Sequence, residues 1–161
     1  MVLVLVGIMI AGVSLSLGDG GREARIKQEA QRLQQLLTLA GEESVLASRE
    51  SGLLLHQRGY RFVLHDGEQW LPNEDHMFRP RTLPEGMAAE LYLDGMLIPL
   101  PLEPLSLEGD EPPSPQVLIL SSGERSPFEL ILAWDEPPAL AFRLEGPMLG
   151  PLRLAREGAQ W

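Results

Sequence analysis

The sequence contains no cysteine, which excludes disulfide staples, thiolate metal sites and a cysteine nucleophile. Lysine is almost absent too: Lys27 is the one lysine among 13 basic residues, against 23 acidic ones, and the net charge is −10. That balance argues against general binding to a phosphate backbone, which needs a basic face. Several catalytic signatures are missing. There is no GxSxG, no HExxH and no GxxxxGK[ST]. His56, His65 and His76 are scattered, with none paired at i, i+4. Asn73-Glu74-Asp75-His76 concentrates oxygen ligands, but it lacks the spacing and the glycine of a calcium loop and reads as a solvated acidic turn. The residues therefore indicate no catalytic group, no cofactor and no metal.

Charge is missing locally as well. Met1 to Leu17 (MVLVLVGIMIAGVSLSL) has no charged side chain, and every ionisable carboxylate, lysine and arginine lies between Asp19 and Glu157. A division this sharp marks a segment adapted to a different solvent. A secretory signal peptide would need a basic start, which is absent. A buried core helix is open at this length. The preferred reading is a membrane anchor helix at 1–17, with Leu3, Val6, Gly7, Ile10 and Val13 among its apolar and small positions. Seventeen residues rise only about 26 Å against a hydrocarbon core of about 30 Å, so the expected span begins upstream of Met1.

What remains has the composition of a folded domain, with 44% hydrophobic and 22% charged residues in a 161-residue chain. Gly18-Asp19-Gly20-Gly21 predicts a hinge, because glycine costs about 1 kcal/mol per helical position relative to alanine. From there to residue 51 the periodicity is helical. Ile26, Ala30, Leu33, Leu37, Ala40, Ser44 and Ala47 alternate spacings of four and three, which places them on one face. Leu36, Leu39 and Leu46 widen that stripe, and Ser51-Gly52 supplies a stop. Ile26, Leu33, Leu37, Ala40 and Ala47 are expected to pack on a sheet.

Residues 52–161 change to strand periodicity. Leu53–Leu55 and Tyr60–Leu64 precede an Asp66-Gly67 turn and Gln69–Leu71. Leu91–Leu93 and Met96–Ile98 flank Asp94-Gly95 as a second hairpin. Val117–Leu120 and Phe128–Trp134 flank Ser121–Glu124, and Ala139–Leu144 and Leu149–Leu154 form a last pair. Tyr60, Phe62, Trp70, Phe128 and Leu130 are the expected core of this head. Residues 99–115 (PLPLEPLSLEGDEPPSP) are rich in proline and acid, which excludes a central strand and predicts a long exposed loop, with a partner-binding extended segment as the alternative.

An apolar start, an amphipathic helix and then only strands is an order that resembles the type IV pilins and type II secretion pseudopilins. The details are similar to the H-type minor pseudopilin (GspH) family: Arg32-Leu33-Gln34-Gln35-Leu36-Leu37 with Ala40 and Glu43, Tyr60-Arg61-Phe62 followed by Trp70, Arg81-Thr82-Leu83-Pro84-Glu85-Gly86, and Ser121-Ser122-Gly123-Glu124 before Pro127-Phe128-Glu129-Leu130. The resemblance implies an α+β, pilin-like fold, a long N-terminal helix packed on an antiparallel β-sheet domain. It also implies a structural minor subunit near the tip of the secretion pseudopilus, with no enzyme activity. The implied setting is the bacterial inner membrane, crossed once, with the head in the periplasm. Its partners would be the other minor pseudopilins and the major pseudopilin, with no nucleic acid and no small-molecule substrate. One departure stands out: the glycine and Phe-Thr-Leu-Ile-Glu that the family's peptidase cleaves and N-methylates do not occur here, again as expected of a start upstream of Met1. A minor pilin of a type IV pilus and a membrane-anchored periplasmic binding or adaptor module are the alternatives. A carboxylate-based hydrolase is a third reading, and it requires a cleft.

Overall fold

A computed structural model describes residues 2–109, 112–136 and 139–157, with side chains from residue 20 onward. Among the described residues one α-helix, α1 (Val2–Ala47), is followed by ten strands and a short 3-10 turn among them. Forty-six residues at about 1.5 Å each make α1 roughly 70 Å long. It passes through Gly18–Gly21 without interruption, which corrects the expected hinge. Any Cβ added at Gly20 or Gly21 would meet open space. The glycines thus cost only local propensity, and a long helix fixed downstream by tertiary packing absorbs that cost.

Ile26, Ala30, Leu33, Leu37, Ala40 and Ser44 are all buried, so the alternating stripe faces the sheets as its spacing requires. The helix ends earlier than the sequence suggested. Ser48 adopts a left-handed φ of 49°, and the Arg49 amide donates to the Ser44 carbonyl at 3.1 Å. Ser51-Gly52, expected as the stop, already belongs to the first strand. The Ser44 and Ser51 hydroxyls, both buried, satisfy each other at 2.7 Å and join the last turn of α1 to that strand.

The strands form two antiparallel five-stranded sheets rather than a single one. The first has the order β3 (Trp70–Pro72), β2 (Gly59–His65), β1 (Ser51–His56), β7 (Val117–Ile119), with β4 (Arg81–Thr82) also on β2. The second has the order β10 (Arg153–Arg156), β9 (Ala141–Gly146), β8 (Phe128–Trp134), β5 (Met87–Leu93), β6 (Met96–Ile98). Val117–Ile119 and Phe128–Trp134, flanking one turn in the sequence, go to different sheets. The turn between them carries the chain from one sheet to the other. The helix rests on β1 and β7 of one sheet and on β8, β9 and β10 of the other, so a single core forms under it. Asp94 (φ 51°) and Gly95 (φ 75°) make the β5–β6 turn with left-handed φ at both central positions, the hairpin form that Asp-Gly favours. Gly146 lies opposite Phe128 in the β8–β9 register, and the Phe128 ring covers the space a side chain would need.

The proline-rich segment lies outside the strands, but its ends are not free. Leu100 and Pro115 are buried. The Gln57 amide donates to the Pro101 carbonyl at 2.8 Å, and the Gln116 side chain clamps both backbone groups of Leu55 at 2.9 and 3.0 Å. Leu102 to Ser106 are exposed between these ties.

Candidate functional site

Among the described residues the candidates are surfaces. Among the described residues no group of three or more histidines, aspartates and glutamates is placed to hold a metal ion. The acidic Asn73–His76 turn uses its own oxygens locally. Asn73 Oδ1 accepts from the Asp75 amide at 3.1 Å, and Asp75 Oδ1 caps a 3-10 turn by accepting from the Met77 amide at 2.8 Å. Asp66 is held below its ordinary carboxylate value by the amides of Gln69 and Glu68, in an exposed turn. It is a turn-forming group rather than a poised acid.

The side chains expected to matter fall into three groups. Leu3, Val6, Gly7, Ile10 and Val13 lie on helical backbone, but their side chains are outside those described. Among the described residues no helix is long and apolar enough to cross a membrane. On the helix face, Ile26, Leu33, Leu37 and Ala40 are buried, whereas Ala47 is exposed. Ala47 is the last residue of α1, one turn beyond the buried Ser44. Leu46, read as part of the stripe, is 85% exposed.

In the head, Tyr60, Phe62, Phe128 and Leu130 are buried and share one core with the helix. Trp70 is only half-buried, which corrects its place in that core. It opens the short edge strand β3 and packs against the cross-strand His65 ring at 4.9 Å. Phe78, Met87 and Leu144 are buried as well, beyond the core expected from the sequence. Met87, Ala89 and Leu91 alternate as one face of β5, and that period of two was the available signal. Phe78 had none, since it reaches the core from a 3-10 turn and packs on Phe62 at 5.0 Å.

Where the described side chains of α1 begin, a clasp fixes the helix to the second sheet. Trp134 Nε1 donates to the Arg22 carbonyl at 3.2 Å, the Arg22 guanidinium lies 5.8 Å from the Trp134 ring centre, and Arg22 pairs with Glu136 at 2.9 Å. Arg156 meets Glu23 at 3.4 Å beside it, and Arg143 ties β9 to Glu129 and Glu157 at 3.0 and 2.7 Å. These pairs are largely exposed, so each contributes little stability, and orientation is their main effect.

Apolar side chains also collect on the outside. Val45, Leu46, Met148 and Leu149 are each about half or more exposed around the end of α1. Met96 and Leu97 do the same on the edge strand β6. A long helix on a two-sheet head, with apolar patches at its far end and at a sheet edge, is an arrangement built for contact.

No family model matches the chain. It is 35% identical over 167 residues to the type II secretion system protein H of Pseudomonas aeruginosa, covering 96% of this chain and 91% of that one. It is 27% identical over 163 residues to the protein H of Aeromonas hydrophila, covering 98% and 89%. Among solved structures, the minor pseudopilin EpsH from the type II secretion system of Vibrio cholerae superposes with a TM-score of 0.68 at 29% identity, covering 86% of this chain and 98% of that one. The solution structure of Escherichia coli GspH matches in fold, with a TM-score of 0.62 at 20% identity over 84% and 90%.

Proposed function

This chain belongs to the type II secretion system protein H family, and we propose that it works near the tip of the pseudopilus, anchored in the inner membrane through its uncharged start with its head in the periplasm. The family role is that of a structural minor subunit of the pseudopilus, and it is not enzymatic. The observation that carries this reading is the 35% identity extending over 96% of the chain, helix and head alike.

The mechanism is assembly. The Met1–Leu17 segment packs among the corresponding helices of neighbouring subunits, where small and branched apolar residues mesh closely. The rest of α1 holds the head at a fixed orientation, because the Arg22–Trp134 clasp and the buried stripe leave it no hinge of its own. Head contacts with the other minor pseudopilins and the major pseudopilin can be individually weak, since tethering in the fibre raises their effective concentration. Micromolar affinity, about −8 kcal/mol, is sufficient.

Deleting the gene in the native organism tests the reading. Secreted proteins should then accumulate in the periplasm and be released again when the full chain is restored. The chain should fractionate with membranes and need detergent for release. Normal secretion without it, or a full-length chain that stays in solution without detergent, contradicts the assignment.

A further inference from the structure

The groove at the end of α1 combines two features that solvent alone does not explain. Val45 and Leu46 of the helix, Gly150, Pro151 and Leu152 before β10, and Gly123 between β7 and β8 enclose about 510 Å³ of open, mainly apolar space. Leu46 is 85% exposed there, and Met148 and Leu149 continue the apolar surface at 52% and 59%. Isolated exposed leucines are ordinary, but side chains from separate segments meeting around one groove form a patch.

The second feature is Arg125, on the wall of the same groove. One guanidinium nitrogen, Nη1, is covered and has no hydrogen-bond partner among the described residues. No described carboxylate pairs with it, although Glu42 shares the groove lining and the chain carries an excess of acid. Burial alone pulls Arg125 below the ordinary arginine value, with no opposing charge to raise it. A partly desolvated cation facing an apolar groove is a site where an incoming carboxylate gains more than it would in water.

We propose that this groove seats a neighbouring pseudopilin of a different type, which inserts an apolar side chain beside a carboxylate that pairs with Arg125. The inference rests on the pseudopilus reading and names the surface through which the head makes one of its contacts.

The geometry selects the occupant. The chain's own downstream segment leads away from the groove. Leu152 lies on its wall, and β10 then carries the chain to Arg156, which meets Glu23 some 22 helical residues before Val45, about 33 Å along the axis. A symmetric pairing of two copies through this face would bring together two chains that each carry a net charge of −10, so the copies repel each other. A different subunit that brings its own acid meets both requirements, the apolar filling and the charge.

The test is co-purification of the full-length chain, expressed with the other pseudopilins of its system and extracted in detergent. Leu46→Ser and Arg125→Gln should each lower the recovered partner roughly tenfold, the size expected where a buried anchor or a desolvated charge pair is removed. Arg125→Lys should retain part of the binding, because it keeps the charge and loses the fork. Met77→Ser, at an exposed position in a 3-10 turn outside the groove lining, should change nothing. Leu46 is too exposed for its replacement to unfold the head, so that variant reports on docking even if the arginine variants are unstable. Wild-type recovery of a pseudopilin that neither Leu46→Ser nor Arg125→Gln diminishes overturns the groove and leaves the pseudopilus reading standing. Groove-dependent recovery of a second, differently tagged copy alone overturns the choice of occupant. A wild-type chain that recovers no pseudopilin removes the reading on which the inference rests.

Discussion

Tyr60 carries a buried hydroxyl with no partner among the described residues, and Arg81 Nε beside it is in the same condition. Burial pushes the phenol from its ordinary 10.0 up to about 12. An unfolded chain gives up this proton first. The stability tied to the neutral phenol is therefore complete below pH 10 and lost as pH rises from about 10 to about 12. Tyr60→Phe should flatten that alkaline loss and stabilise the head at neutral pH by about 1 kcal/mol, since it removes an unpaired buried polar group. Thermal unfolding across pH 8 to 11, on the order of a few points per pH unit, measures both effects. Leu37 and Leu46 make a second comparison at this scale. Both were placed on the apolar stripe by sequence, yet Leu37 is 4% exposed and Leu46 is 85% exposed. Leu37→Ala should cost roughly 2–5 kcal/mol in chemical denaturation, and Leu46→Ala should stay within about 0.5 kcal/mol.

At the scale of elements, α1 shows where local propensity yields to tertiary packing. The glycines predicted a break, and the helix continues through them. Because nothing lies within 4 Å of a Cβ at Gly20 or Gly21, alanine there should stabilise the helix by up to about 1 kcal/mol per position, seen as higher helicity and a higher melting temperature. A fall in stability would show that the glycines answer to a bend the free chain makes. The proline-rich loop separates into anchored ends and an exposed middle. Leu100, Pro115 and Gln116 hold the ends, so replacing Glu103–Ser114 with a short Gly-Ser linker should leave the melting temperature nearly unchanged. Extending the replacement through Leu100 should lower it.

At the scale of the whole molecule, the helical stripe and most strands were legible because period is a local property of sequence. Ile26 to Ala40 and Tyr60 to Leu64 announce their buried faces directly. Three things were not local. The division into two sheets depends on β7 pairing with β1 some 65 residues earlier, which no pattern between them encodes. Trp70 looked like core by composition, but its strand lies at an edge. Phe78 enters the core from a capped 3-10 turn that has no period. The exposed groove beside Arg125 was equally hidden, because its walls come from three separated stretches of chain. Family resemblance supplied what periodicity could not, the order of elements around a long helix and the role that follows from it.

This subunit acts by assembling with other pseudopilins. The most direct measurement is affinity capture of the tagged full-length chain from the membranes of actively secreting cells, with the recovered proteins identified. Other pseudopilins of the same secretion system should be enriched, and the gene's deletion should stop secretion. Recovery of none of them, from cells in which deletion leaves secretion intact, would rule out a role in the pseudopilus.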